Sequence, residues 1–182
     1  MNDYGGKDLA AAFKTVRKNT ITIANEIPEE KYDFKASPDT RSVREALVHI
    51  ALGTMFQDAV HKDKIADMKT INFQEFMGRM NAEQAKPRGK AGIVALLQTE
   101  GDAFASYLEG LTDAFLSEPV TMMPGAEPAT KSRFEMLLGA KEHEMHHRGQ
   151  LMLMERMLGI VPHLTRDFQE RMARVQAAQA PR

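Results

Sequence analysis

Cysteine is absent from the 182 residues of this chain, which excludes disulfides, thiolate metal sites and cysteine nucleophiles together. Any metal site must therefore be built from nitrogen and oxygen ligands. No stretch approaches the roughly 20 apolar residues that a membrane helix requires, so no membrane association is expected. Neither sign of charge dominates: the formal net charge is -1, and basic residues are spread along the chain, leaving no electrostatic footprint for nucleic acid. The opening MNDYGGKDLAAAFK lacks a basic segment followed by an apolar core and a small-residue cleavage site, so no signal peptide is expected and a cytoplasmic location follows.

Hydrophobic residues make up 43% and charged residues 27%, the balance of an ordinary globular protein. The length suits one hydrophobic core without staples, so residues 1–182 are expected to form one domain. Apolar positions recur at helical spacing over residues 7–27, through Leu9, Ala12, Phe13, Val16, Ile23 and Ile27, until Pro28 ends the pattern. Residues 28–40 read as an ordered loop pinned by Tyr32 and Phe34, and Thr40 or Ser42 can cap a second helix over 42–61. A third helix is expected over 91–111 and a fourth, the longest, over 132–158, stopped by Gly159 and Pro162. Residues 62–89 and 115–130 read as crossing connections, the first with a short helix in NFQEFMGRMNAEQA. Residues 163–182 form a helix-prone, nearly all polar tail that could fray or pack on a partner subunit. The expected class is all-α, a four-helix bundle with long crossover connections.

Helix phase sorts the six histidines. At about 100° per residue, His143 and His147 fall within the apolar stripe of the fourth helix, with Met136, Ala140, Leu151, Met154 and Leu158. Gln150 also lies inside the stripe, His146 falls at its edge and Arg148 well outside. On the second helix His49 shares a stripe with Ala46, Gly53, Phe56 and Val60, and Gly53 leaves room beside the imidazole for a ligand or water. His61 sits about 120° from His49 and is expected at the outside or end of its helix. A lone inward histidine is ordinarily a hydrogen-bonded core residue. Three in one core must each find a partner, and a shared divalent ion satisfies all three. Glu45, one turn before His49, and Gln150 are the candidates to orient a ligand or move a proton; Glu45 reads equally well as a solvated first-turn glutamate. The methionines follow the apolar stripes and read as core filler.

The runs YDFKASPDTRSVREALVHI (residues 32–50) and HEMHHRGQLMLME (143–155) resemble the N-terminal and C-terminal signatures of the DinB and YfiT-like superfamily, and the likeness extends from about Leu9 to Gly159. The resemblance implies a four-helix bundle with a three-histidine metal site, which carries over onto His49, His143 and His147. It also implies a homodimer and, from those members with assigned activities, thiol S-transfer with a low-molecular-weight thiol such as bacillithiol or mycothiol, or thiol-dependent isomerisation. The sequence departs from the family pattern chiefly in residues 62–89 and after Pro162. Nitrogen ligands with open positions suit zinc or nickel, and also iron or manganese. A metal-dependent enzyme acting on a small molecule, as a thiol S-transferase or hydrolase-like catalyst, is the leading expectation. The alternatives are a non-enzymatic metal-binding stress-response protein and a metal-free bundle with hydrogen-bonded histidines.

Overall fold

The computed structural model describes residues 4–179. Helix α1 spans Gly6–Glu26 and ends where Ile27, extended, leads into Pro28. The loop that follows is ordered by Tyr32, fully buried, whose hydroxyl donates to the Ala24 carbonyl at 2.6 Å. Of the two candidate caps, Ser42 starts the next helix in a capping box with Glu45, while Thr40 bonds back to Ser37.

The second helix is not continuous: α2 spans Val43–Leu52 and α3 spans Thr54–His61, divided at Gly53. Gly53 donates to the Ile50 carbonyl, three residues back, at 3.2 Å. That carbonyl also accepts from the Arg17 guanidinium at 3.3 Å. A competing cation at one carbonyl, next to a glycine, divides what periodicity reads as one helix. Helix α4 (Phe73–Gln84) lies within the expected connection, followed by α5 (Lys90–Glu109), the short α6 (Asp113–Leu116), β1 (Pro119–Thr121), β2 (Thr130–Ser132), α7 (Arg133–Met157) and α8 (His163–Gln179). The stretch read as a plain crossing loop thus holds α6 and an antiparallel hairpin, Val120 opposite Lys131. Helix α7 begins with a capping box of Ser132 and Glu135. It stops at Gly159, whose φ of +80° lets the Ile160 N–H reach the Glu155 carbonyl, a glycine-terminated helix end.

Helices α1 and α2 each pack against both α5 and α7, so α1 and α2 stand at opposite corners of the bundle and α5 and α7 at the other two. This is the expected all-α bundle with crossovers. No helix among the described residues is long and apolar enough to cross a membrane. The tail differs from its polar reading: α8 exposes Phe168, Met172 and Val175, spaced four and three residues apart and hence on one face. Residues 180–182 of that expected tail lie outside the described residues.

At the centre of the bundle lies a charged pair that periodicity did not anticipate. Arg17 of α1 is 4% exposed and Glu144 of α7 is 1% exposed. The Arg17 Nε donates to both Glu144 oxygens at 3.0 Å, and Nη1 donates to the Leu97 carbonyl of α5 at 2.7 Å. With the bond to Ile50 on α2, one side chain joins all four corners. Gly101 of α5 admits it: a Cβ there would stand 2.8 Å from the Arg17 Cγ.

Removing either charge strands the other in the core. Arg17→Ala and Glu144→Ala are each expected to lower unfolding free energy by about 3–5 kcal/mol in urea titration, whereas the double variant Arg17→Met/Glu144→Leu loses much less. Single variants within about 1 kcal/mol of wild type, the scale of an exposed pair, would contradict this role.

Candidate metal centre

Helix α2 carries His49, and α7 carries His143 and His147. Their ring centroids stand 4.9, 4.7 and 4.6 Å apart, a nearly equilateral arrangement around one point. Each ring offers a nitrogen within 4.8 Å of the others, and no other group of three or more such side chains converges this way among the described residues. His147 is buried, while His49 and His143 are half-buried.

The donor set fits a divalent ion. Nitrogens about 2.0–2.1 Å from a shared ion lie roughly 3–3.5 Å from one another, and His49 Nε2 stands 3.0 Å from His143 Nε2. The buried Nδ1 of His49 has no hydrogen-bond partner in bonding geometry, and the Gln84 side chain is the polar group beside that ring. His147 Nδ1 stands 2.8 Å from the Gln150 amide oxygen. That oxygen only accepts, so Nδ1 carries the proton and the Nε2 lone pair is left free to coordinate.

Burial is the first cause that lowers the affinity of these imidazoles for protons. It pushes His49 down to about 4, with help from Arg41 and the other two histidines. His143 is pushed down to about 4 by burial, then by His147, His146 and Arg41. His147 is lowered by burial, against the opposing Gln150 hydrogen bond. The three rings are thus neutral at pH 7, as coordination requires.

The other expected residues occupy different places. Glu45 spends its carboxylate on the cap, accepting from the Ser42 N–H at 2.7 Å and facing Lys35 at 3.3 Å; it bonds none of the three imidazoles. Gln150 is exposed although its amide reaches inward, and its Nε2 donates to His146 Nε2 at 3.2 Å; the exposed His146 ring stands 4.8 Å from His147 but is not one of the converging donors. Gly53 makes room for a ring rather than a ligand, since a Cβ there would stand 3.0 Å from both Cε1 and Nδ1 of His143. His61 corrects the outward reading. It is 1% exposed, donates to Gln57 at 3.1 Å and accepts from Arg133 at 3.4 Å, because the end of α5, the start of α6 and Arg133 at the start of α7 close over that side of α3. Arg148 also corrects its placement: its Nε is buried and unpartnered, on the flank of α7 that Glu144 and Glu155 share.

Two neighbours escaped the sequence reading. Arg41, just before the Ser42 cap, acts on all three histidines, and Gln84, the last residue of α4, lies beside His49. The only local signal for Arg41 is a cation at a helix N-terminus, where the dipole disfavours it. Beside the cluster opens a cavity of about 800 Å3 lined by Arg41, Glu45 and Gln150 among others.

A sequence model of the DinB superfamily matches residues 12–151. The crystal structure of a DinB-like protein from Bacillus subtilis superposes with a TM-score of 0.62 at 22% identity, over 83% of this chain and 91% of that one. An uncharacterized protein from Clostridium difficile 630 superposes with a TM-score of 0.61 at 12% identity, over 84% and 96%. At those identities the likeness is one of fold. No curated protein matches the chain in sequence.

The depressed histidines set a pH dependence for the metal-free chain. His49, His61 and His143 sit near 4 when folded, against an ordinary value of about 6.5. The unfolded chain therefore takes up protons first, and the stability these groups contribute is complete above pH 6.5 and lost as pH falls through 4. Chemical denaturation of metal-free protein is expected to show stability falling from pH 7 to pH 4.5, with His61→Asn reducing the slope. A flat profile would contradict the burial of neutral imidazoles.

Proposed function

Because the chain belongs to the DinB superfamily, we propose that His49, His143 and His147 hold one divalent ion, zinc or nickel, with positions open to a small molecule, and that the protein is a metal-dependent thiol S-transferase or hydrolase-like enzyme. The observation that carries this reading is the convergence of three imidazole donors with no carboxylate among them, beside a cavity of about 800 Å3. A site of three neutral nitrogens leaves coordination positions for substrate, which a closed four-ligand structural site does not. When bound, the ion supplies a Lewis acid that lowers the pKa of a coordinated thiol or water.

The chain's own residues supply the rest. Gln150 fixes the tautomer of His147 and so the direction of its lone pair. Gly53 keeps the His143 ring seated against α2. Glu45 stays ionised at the rim, its carboxyl held below the usual range first by the Ser42 N–H, and can accept a proton that leaves the cavity. The cavity's apolar wall, Leu153 and Met154, suits the carbon skeleton of an organic acceptor.

Metal-loaded and metal-free protein, compared over a panel of small thiols and electrophiles, is expected to transfer thiol to at least one acceptor only when loaded. Equal rates in both forms across the panel would leave the ion a binding or stabilising role instead. The same reading includes a homodimer, supported by the exposed face of Phe168, Met172 and Val175 on α8, since an apolar helix face invites a partner. Light scattering at micromolar concentration is expected to give a dimer mass, and Phe168→Asp a monomer; a monomeric wild type would refute the pairing.

A further inference from the structure

Arg41 stands where two ordinary preferences argue against a cation. It directly precedes the N-cap of α2, the end at which the helix dipole favours negative charge. Its charge also acts on all three clustered imidazoles, where it opposes a metal ion. No compensation from a carboxylate is visible: among the described residues Arg41 has no ion-pair or hydrogen-bond partner in its side chain, and the side chain is exposed.

Asp39 and Glu45 line the same cavity as Arg41, but each carboxylate is taken up by another group. Glu45 serves the Ser42 cap and Lys35, and Asp39 accepts from the Ser37 hydroxyl. The guanidinium instead lines the cavity of about 800 Å3, across from Gln150, Leu153 and Met154. Gln150 in turn bonds His147, so the wall of the cavity that faces Arg41 adjoins the histidine cluster. A planar fork of N–H donors facing such a space is suited to a carboxylate, which it can hold in two parallel bonds.

We propose that Arg41 selects the substrate of this site, a small organic anion that presents a carboxylate to the guanidinium while a second donor atom reaches the ion on His49, His143 and His147. The inference rests on the open metal site put forward above. It accounts for the position of Arg41: a charge that weakens the hold on the metal is retained because it binds the ligand. The two effects have opposite signs, which separates recognition from a structural role.

The test uses two thiols of similar size that differ in the carboxylate, 3-mercaptopropionate and 2-mercaptoethanol. Each is titrated into cobalt(II)-loaded wild type, Arg41→Ala and Arg41→Lys, followed by the thiolate-to-cobalt absorption, and zinc affinity is measured by calorimetry. Wild type is expected to prefer 3-mercaptopropionate by about tenfold, the scale of one charge-assisted hydrogen bond. Arg41→Ala removes that preference, leaves 2-mercaptoethanol within about twofold of wild type, and holds zinc as tightly as wild type or more so. Arg41→Lys keeps part of the preference. Equal binding of both thiols by wild type, an equal loss for both in Arg41→Ala, or weaker zinc binding in Arg41→Ala overturns the assignment while the open site stands. Absence of thiolate absorption in wild type with either thiol overturns the open site and this inference with it.

Discussion

The Arg17–Glu144 pair is the constraint from which the rest of the structure follows. Its charges are removed from water, so they tolerate no arrangement in which their hydrogen bonds are incomplete. Arg17 meets that demand by bonding Glu144 on α7 and the carbonyls of Ile50 on α2 and Leu97 on α5. Two of those partners adjoin the histidine cluster, Glu144 next to His143 and Ile50 next to His49. The register of α7 against α2, which decides whether the three imidazoles meet, is thereby tied to a polar lock one residue away.

The cluster itself is costly without an ion. Three rings are held neutral by burial and by one another, with the Nε2 atoms of His49 and His143 only 3.0 Å apart. A packed apolar trio would be the more stable solution for a bundle core. Local rules broken in one place, by a histidine triad set into the core side of two helices, a glycine between helices and an arginine at a helix N-terminus, are what a functional site looks like in a chain that is otherwise consistent. The three imidazoles could share a divalent ion, which would resolve the first of these breaches, and the anionic ligand proposed for Arg41 would resolve the last.

Much of this was legible in the sequence because helices convert spacing into direction. Phase alone directed His49, His143 and His147 inward and put His146 at the stripe edge, and residue type narrowed the caps to Thr40 or Ser42 at one helix and Gly159 at another. Arg17 and Glu144 were not legible, since a single charge inside an apolar stripe carries no sign of the partner that justifies it. The same hidden bond divided α2 from α3 at Gly53. His61 was misplaced because phase counts only the neighbours within one helix, whereas its cover comes from the end of α5, the start of α6 and Arg133 of α7. Gln84 and Arg41 reach the cluster from other elements, so no spacing along α2 or α7 could reveal them.

The account stands on one metal ion shared by three particular imidazoles. Calorimetric titration of zinc into metal-free protein, carried out for alanine variants of all six histidines, measures this most directly. The account predicts one equivalent bound by wild type, affinity lowered about tenfold or more by replacing His49, His143 or His147, and affinity near wild type for the His61, His146 and His163 variants. Zinc binding lost in His146→Ala and retained in His147→Ala, or a wild type that takes up no zinc or nickel, would contradict it.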